Sequence, residues 1–353
     1  MSEFNFSLMK KLSELAGAPG FEDHVRAFIQ SELKDVVDEF RTDQMGNLYA
    51  IRKGESSEKK VMSAAHMDEI GFIVRHVDKS GFIRFQTLGG FDPKTLTAQR
   101  VFVHGKKDLV GVMGCKPIHV MSPEERAKPA KIDDYFIDLG MPAEQVHELV
   151  TIGDPITRER ELIEMGDCVN GKSLDNRVAC FVLMETLKGL KGKKIPYDFY
   201  AVFTTQEEVG IRGAQVATLE IKPTFSFCLD ITLAIDTPGS KEEEFCTRLG
   251  QGPAIKVMDS STICDRRLVA YMKSQAKKAD LPYQLEILAG GGTDTAGMQR
   301  MTPGGSIAGC ISIPCRHVHQ VVETSHKRDV NQSVELLRSC VENLGEFDFE
   351  GRV

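Results

Sequence analysis

The chain of 353 residues contains no tryptophan, and aromatic residues make up only 7% of it. Clefts that bind sugars usually present aromatic platforms, so this composition weighs against a glycoside hydrolase. Cysteine occurs nine times, an odd number, and no two cysteines form a Cys-x-x-Cys pair. This pattern argues against a disulfide framework and against a sulfur-ligated metal, and it suits a reducing compartment.

Two kinds of segment are also missing. The sequence has no run of 18 uninterrupted apolar residues, and its N-terminus lacks a basic start followed by an apolar stretch. These absences argue against a membrane span and a secretory signal. The net charge of −7 argues against nucleic acid as the main partner. We therefore expect a cytoplasmic protein with neither a membrane nor a nucleic-acid partner.

What the chain does contain is the pattern of an α/β protein. Strands are predicted near residues 46–52 and 60–65, and strands alternate with helices from about residue 172 to the end. The apolar positions of the second helix, from Phe21 to Phe40, are expected in the core. Apolar residues at helical spacing predict helices near residues 5–16, 22–39, 174–190, 263–279 and 331–343.

Between about residues 70 and 165 the pattern changes to short apolar runs separated by turn residues, such as GFIVRHV and ELIEMGDCV. Such runs are typical of a small all-β module. We predict that this module is an insertion in a discontinuous catalytic domain. Residues 1–69 and 166–353 would then form the catalytic domain, and residues 70–165 the insert.

The stretch FYAVFTTQEEVGIRGA, residues 199–214, is the most informative part of the chain. Its apolar half predicts a buried strand of the parallel kind. Glu207 and Glu208 follow that strand, at the carboxyl end where open α/β sheets place their ligands. One of two neighbouring carboxylates can bind a metal while the other moves protons. A solvated acidic turn is the alternative for such a pair taken alone.

Other polar residues end apolar runs in the same way. If these strands run parallel, all of the side chains belong at one rim of the sheet. They are His66 and Asp68 after VMSAA, Asp175 at the start of a helix, Asp230 at the end of FSFCLD, and His319 after a strand. Each alone has another explanation, such as a core histidine or a helix N-cap. Together they form an oxygen-and-nitrogen donor set suited to zinc, cobalt or manganese.

The spacing of these residues points to hydrolysis. Residues i and i+2 of a strand share a face, so Asp68 can hold the imidazole of His66 in one tautomer or lie behind the metal. The two oxygens of Asp175 can bridge two metals. A pair of metals polarises a carbonyl and generates hydroxide at neutral pH, which is a known hydrolytic device.

With these motifs in this order, the sequence resembles the tetrahedral (TET-type) aminopeptidases, a family of dinuclear metallopeptidases. Members carry names such as glutamyl aminopeptidase, deblocking aminopeptidase or, in some cases, cellulase. The resemblance covers nearly the whole chain. The motifs that carry it are AAHMDEIGF at 64–72, LDNR at 174–177, QEEVGIRGA at 206–214, LDITLAIDTPG at 229–239, GGTD at 291–294 and RHVH at 316–319.

The resemblance implies two divalent metal ions per chain, zinc in the first place and cobalt or manganese as alternatives. The implied ligands are His66, Asp175 and Asp230 for one ion, and Asp175, Glu208 and His319 for the other. Glu207 would be the general base that takes a proton from water and returns it to the leaving amine. Asp68 would lie behind His66.

The resemblance also implies a fold and an assembly. The fold would be a mixed-sheet α/β peptidase domain of the zinc-peptidase kind with a PDZ-like β insert. The protein would act on peptides as a homo-oligomer, a tetrahedral dodecamer with its active sites facing inward. One departure is visible, because the family usually has Tyr where His317 stands. His317 and His319 therefore compete for the ligand role, and the alignment favours His319.

The substrate is less well defined by the sequence. The glycine-rich segment AGGGTDTAG lacks the Lys-Ser/Thr of a phosphate-binding loop, so Thr293 and Asp294 are expected to line a substrate pocket. Preference for an acidic N-terminal residue would need a basic group in that pocket, and the sequence alone places none. A related dinuclear hydrolase of N-acyl amino acids, or a carboxypeptidase, is the closest alternative function. A glycoside hydrolase with two catalytic carboxylates is a more remote one.

Overall fold

A computed structural model describes residues 3–349 of the chain. The helices in this range are α1 (Phe6–Glu14), α2 (Asp23–Glu32), α3 (Pro123–Arg126), α4 (Ala143–Leu149), α5 (Leu174–Leu190), α6 (Arg212–Ile221), α7 (Arg266–Lys278), α8 (Thr295–Arg300) and α9 (Lys327–Glu342). The strands are β1 (Glu39–Thr42), β2 (Leu48–Arg52), β3 (Ser56–His66), β4 (Gly71–Val77), β5 (Ile83–Leu88), β6 (Arg100–His104), β7 (Asp108–Gly114), β8 (Phe136–Asp138), β9 (Pro155–Arg158), β10 (Ile163–Met165), β11 (Cys168–Gly171), β12 (Tyr197–Thr204), β13 (Phe225–Leu233), β14 (Ala254–Met258), β15 (Gln284–Ile287), β16 (Ile307–Arg316) and β17 (Glu323–His326). Over these residues, no helix combines the length and the hydropathy that a membrane span requires.

Within residues 3–349, eleven strands form one mixed sheet whose centre is parallel. The strands β12, β3, β13 and β16 lie side by side in that order, and each neighbouring pair runs parallel. The flanking strands β2 and β17 pair antiparallel with β12 and β16. The carboxyl ends of the four central strands therefore meet at one edge. This arrangement confirms the predicted α/β class with a mixed sheet.

The central strands are buried at most positions because helices cover both faces of the sheet. Along β12, Ala201 and Phe203 belong to the core that contains α5 and α9, whereas Val202 belongs to a second core with Ala214 and Ala217 of α6. A strand buried on both faces needs apolar side chains in both directions. The continuous apolar runs in the sequence are therefore the signature of this three-layer arrangement.

Six further strands, β4 to β9, close into a barrel in the order β4-β5-β8-β7-β6-β9. The barrel has its own apolar core, which includes Phe72, Val101 and Ile137. The proposed division into domains and the PDZ-like character of the insert stay predictions. One run that the sequence assigns to the small module lies outside the barrel. The strand β10 lies within ELIEMGDCV. After it the chain turns at Gly166, and β10 pairs with β11 in the large sheet.

The second helix is shorter than predicted. It ends at Glu32 rather than near residue 39, and residues 39–42 form β1, which pairs antiparallel with β2. Apolar residues continue at helical intervals past the end of the helix, because Leu33 and Val36 in the following turns also pack against the core. The expectation that Phe21 is a core residue is wrong, since this residue precedes α2 and is 37% exposed.

A buried cation joins the first helix to the end of β3. The guanidinium of Arg177, which is fully buried, donates to the carbonyls of Leu12 and Leu15 at 2.7 and 2.9 Å and to the carbonyl of Met67 at 2.7 Å. The buried carboxylate of Glu69 lies 3.6 Å from the same guanidinium. This network anchors the segment that follows β3.

We predict that Arg177→Met lowers the free energy of unfolding by about 3–5 kcal/mol, because it removes one partner from a buried ionic network. Urea unfolding followed by circular dichroism, at fixed protein concentration and with a chelator present, measures this loss. The exposed Arg266 offers a matched control, and Arg266→Met should change the free energy by no more than about 0.5 kcal/mol. An unchanged midpoint for Arg177→Met would contradict the prediction.

Candidate metal centre

The side chains predicted to lie at one rim of the sheet meet there. His66 is the last residue of β3, and Glu207 and Glu208 follow the end of β12. His319 follows β16, and Asp175 lies in the first turn of α5. Because the central strands are parallel, their carboxyl ends bring these residues to the same edge.

Asp230 reaches the same site by a different route. The predicted strand end at this residue is wrong, because β13 continues to Leu233, where residues 231–233 still pair with residues 313–315 of β16. The Asp230 carboxylate nonetheless faces the site, since its Oδ1 lies 3.8 Å from Nε2 of His66. The same oxygen accepts a hydrogen bond from the backbone N–H of Ile231 at 2.8 Å.

Two groups of three donor atoms lie in the site, and the atoms of each group are all within 4.8 Å of one another. The groups are His66, Asp175 and Asp230, and Asp175, Glu208 and His319. Oδ1 of Asp175 lies 3.2 Å from Nε2 of His66, and its Oδ2 lies 3.2 Å from Nε2 of His319. Oε2 of Glu208 lies 3.3 Å from the same His319 nitrogen. One carboxylate therefore reaches both groups.

The two histidines after β16 have different surroundings. His317 is exposed and belongs to neither donor group, whereas His319 contacts Asp175 and Glu208. Both residues adopt a positive φ, 62° and 61°. The geometry thus favours His319 over His317 as a donor, and its role as a metal ligand stays a prediction.

Negative charge is concentrated in this site. Asp175, Glu207, Glu208 and Asp230 each expose at most 11% of the side chain, and in the described part of the chain their ion-pair partners are all histidines. Burial raises the pKa of Glu207 and of Asp230 well above the usual range. Although burial opposes it, hydrogen bonds to Asp175 and Glu208 raise the pKa of His319 to about 11. Apart from Asp175, whose pKa is lowered by its hydrogen bonds to the two histidines although burial opposes it, the groups of this cluster have raised pKa values and hold protons more tightly than usual when no other cation is present.

The donor chemistry fits divalent cations. Imidazole and carboxylate donors without a thiolate suit zinc, cobalt or manganese. Oε1 of Glu208 is buried and has no hydrogen-bond partner among the described residues. A buried carboxylate oxygen without a partner is costly, and coordination to a cation would satisfy it. The two groups are therefore candidate sites for metal ions.

Asp68 fixes the backbone of both glutamates. Its Oδ1 accepts from the N–H of Glu207 at 3.0 Å, and its Oδ2 accepts from the N–H of Glu208 at 3.1 Å. Nδ1 of His66 lies 3.1 Å from the backbone carbonyl of Asp68 and 3.4 Å from its Oδ1. These contacts support the expectation that Asp68 lies behind His66, which stays a prediction. Asp68 is in addition the residue that orients the Glu207–Glu208 turn, a task that its spacing from His66 does not reveal.

Two further buried acids, which the sequence analysis missed, hold the backbone of the site. Oε2 of Glu323 accepts from the N–H of Asp175 at 2.9 Å, and its Oε1 accepts from the N–H of His319 at 3.0 Å. Oε1 of Glu22 accepts from the N–H of Gln206 at 3.1 Å. The one sequence signal for Glu323 is its position in the short run VVETS, close after His319.

A cavity of about 480 Å³ opens beside the donor groups. Thr293 is part of its lining, and its role toward a substrate stays a prediction. Asp294 is buried behind the cavity wall, where its Oδ2 accepts a hydrogen bond from the Thr204 hydroxyl at 2.6 Å. Burial raises the pKa of Asp294 to about 6. The expectation that Asp294 lines the pocket therefore has no support from its position.

Comparison with known proteins shows what the chain is similar to. Residues 46–336 match the family model for M42 glutamyl aminopeptidase. Lysyl aminopeptidase of Pyrococcus furiosus is 34% identical over 354 residues, which cover 98% of this chain and 99% of that protein. A solved aminopeptidase of the archaeon Desulfurococcus kamchatkensis superposes with a TM-score of 0.91 at 36% identity, covering 96% of this chain and 94% of that one.

A third similar protein is known as an assembly. The TET1 peptidase of Pyrococcus horikoshii superposes with a TM-score of 0.85 at 30% identity, covering 95% of this chain and 98% of that one. That peptidase can assemble into a tetrahedron or a large octahedral shell. The agreement extends over nearly the full length of both chains.

We predict that Glu323→Gln lowers the affinity of the site for a divalent cation by about 10–100-fold, the usual effect of removing a group that orients metal ligands. The amide keeps one acceptor oxygen, but its NH₂ group must face a backbone N–H. Calorimetric titration of the metal-free protein with Zn²⁺ measures the change. The exposed Glu58 gives a matched control, since Glu58→Gln should bind as the wild type does. Unchanged affinity in a folded Glu323→Gln protein would refute this role.

Proposed function

We propose a mechanism on the premise that the chain belongs to the M42 glutamyl aminopeptidase family, whose model matches residues 46–336. As a member, the chain is an aminopeptidase, a hydrolase that removes the first residue of a peptide. One observation carries the mechanism: two donor groups share Asp175, and a neighbouring carboxylate, Glu207, belongs to neither group.

Two divalent cations would be held by the two donor groups, with Asp175 in common. Zinc is our first choice because it accepts imidazole and carboxylate ligands together, and cobalt or manganese would accept the same set. When bound, such ions polarise the scissile carbonyl and lower the pKa of a water molecule. The side chains then have to position the substrate and move a proton.

Glu207 is the residue that moves the proton. Its Oε2 lies 3.9 Å from Nε2 of His66, at the border of the first donor group, and Asp68 holds its backbone N–H. Glu207 takes a proton from the attacking water, whose oxygen forms the new bond to the carbonyl carbon. As the C–N bond breaks, Glu207 delivers this proton to the leaving nitrogen. Asp68 acts through Glu207 and His66, as a positioning residue.

We further propose that the protein is a homo-oligomer, a tetrahedral dodecamer, in which the segment 70–165 contributes to subunit contacts or to substrate access. The similarity to the Pyrococcus horikoshii peptidase supports this proposal. The outer face of the barrel supports it as well, since Val110 and Val112 of β7 are 52% and 49% exposed. Ile118 and Val120, in the following segment, are 60% and 65% exposed. Exposed apolar residues in such a group are typical of a protein interface.

We predict that substitutions of the two adjacent glutamates fail in different ways. Glu207→Gln keeps its size but cannot accept the proton, so it should retain both metals while kcat falls by about 10²–10⁴. Glu208→Gln removes an anionic ligand, so it should lose metal from the second site and recover in part with excess metal. Elemental analysis and turnover of leucine p-nitroanilide, with N-acetyl-leucine p-nitroanilide as a substrate that should not react, measure both effects.

The wild-type protein provides the reference for this comparison. It should bind up to two divalent metals per chain and lose activity on addition of a chelator. Full activity with only trace metal would refute the metal dependence. If Glu207→Gln loses metal while Glu208→Gln keeps both ions, the roles assigned to the two residues are reversed.

We predict that the protein sediments as a particle of twelve chains at micromolar concentration. A double substitution, Val110→Glu with Val112→Glu, should reduce the particle size if the outer face of β7 is part of a contact, because buried unpaired charges oppose association. Sedimentation velocity measures both proteins. A wild-type monomer with full activity would contradict the assembly, and an unchanged double variant would exclude this face from it.

A further inference from the structure

The cavity beside the donor groups has a second wall, formed by residues that take no part in metal binding. Thr232 and Lys256 form the deep part of this wall, since they are 1% exposed, and both line the cavity. Lys256 is the basic residue that the sequence alone could not place near the substrate. Its surroundings decide whether its charge is available to a substrate.

The ammonium group of Lys256 is already held by two carboxylates. Its Nζ lies 3.0 Å from Oε1 of Glu286 and 3.2 Å from Oδ2 of Asp259. Both acids are fully buried or nearly so, and neither lines the cavity. A cation between two anions is more than compensated, so the charge of Lys256 is already paired inside the protein.

The hydroxyl groups of the same wall are also occupied. Thr232 donates to Oε1 of Glu286 at 2.9 Å, so its methyl group is what remains for the cavity. Thr293 donates to the hydroxyl of Thr295 at 2.8 Å. Polar groups that are satisfied inside the protein do not gain from contact with a polar substrate.

The rest of this wall is apolar or has no side chain. Ile231, Leu233, Leu288 and Val318 contribute aliphatic groups, and residues 290–292 are three glycines. The cavity is thus lined by the donor residues and by a second set of residues that is mainly aliphatic. A ligand that fits it has a polar reacting end and an apolar side chain.

We propose that this wall is the pocket for the side chain of the first residue of the peptide, and that it selects uncharged, aliphatic N-terminal residues. The inference rests on the proposed function, because it takes the donor groups to hold the reacting end of the substrate. The side chain leaves the substrate between the free amine and the scissile carbonyl. It therefore has to occupy cavity space directly beside the donors.

Charged first residues are disfavoured for two separate reasons. An acidic side chain would have to compete with Glu286 and Asp259 for Lys256 and would add a third anion to the group. A basic side chain would be placed beside the Lys256 ammonium, which is repulsive, and the two acids behind it are out of its reach. Both cases bury a charge without a free partner.

The first test uses the wild-type holoenzyme and p-nitroanilides of leucine, methionine, glutamate and lysine. We expect kcat/KM for leucine and methionine to exceed that for glutamate and lysine by about 100-fold or more. Preference for glutamate would overturn the proposal by showing that Lys256 is available to the substrate. Preference for lysine would overturn it by showing that Glu286, whose Oε2 has no hydrogen-bond partner among the described residues, is reachable.

The second test changes the charge behind Lys256. Glu286→Gln keeps an acceptor oxygen for Thr232 and Lys256 but leaves the ammonium with one anion. It should raise the ratio of glutamate to leucine kcat/KM by about tenfold. The exposed Glu243 provides the control, because Glu243→Gln should leave the ratio unchanged. An unchanged ratio in a folded Glu286→Gln protein, or a change confined to the second residue of dipeptide substrates, would overturn the assignment.

A binding measurement separates failure of this inference from failure of the proposed function. The hydroxamates of leucine, glutamate and lysine bind without turnover, and their affinities for the metal-loaded protein can be measured by calorimetry. If no anilide is cleaved, the proposed function is wrong, and the order of hydroxamate affinities still tests the pocket. The leucine compound should bind most tightly, and equal affinities for all three would overturn the proposal.

Discussion

The structure depends on the compensation of four carboxylates that share one buried edge of the sheet. Two imidazoles are their ion-pair partners in the described chain, which leaves an excess of negative charge on side chains that are at most 11% exposed. Such an excess is unfavourable unless protons or cations neutralise it. The shared position of Asp175 between His66 and His319 makes the two donor groups one electrostatic unit. A cation bound by one donor group therefore changes the charge that the other group presents to a second cation.

The acids around this unit have a different task from the acids within it. Asp68 and Glu323 each use both carboxylate oxygens to accept backbone N–H groups, from Glu207 and Glu208 in one case and from Asp175 and His319 in the other. A backbone held in this way fixes where a side chain starts, so the donors need little rearrangement to bind an ion. The anchoring acids come from loops and strand ends far apart in the sequence. The parallel centre of the sheet is what brings them to one edge.

The sequence alone predicts the parts of the site that follow a local rule. His66, Glu207, Glu208 and His319 could be found because each comes at or just after the end of an apolar strand. Asp230 was found for a partly wrong reason, since β13 continues past it through pairing with β16. The end of α2 could not be predicted because apolar residues in the turns after the helix continue its helical spacing of apolar positions. Pairs such as Glu323 with Asp175, or Lys256 with Glu286, join residues that are distant in the sequence and share no helical or strand periodicity. Only the folded chain reveals such pairs.

The cavity shows two solutions to the same problem of buried charge. At the donor groups, anions exceed cations within the described chain, and the excess favours the binding of cations there. At the other wall, Lys256 is enclosed by Glu286 and Asp259, so its charge is compensated by neighbouring acids rather than by a ligand. Changing one acid behind Lys256 would alter which side chains the wall accepts without touching a donor atom. Selectivity and chemistry are therefore separable in this fold, because they rest on different groups of buried charges.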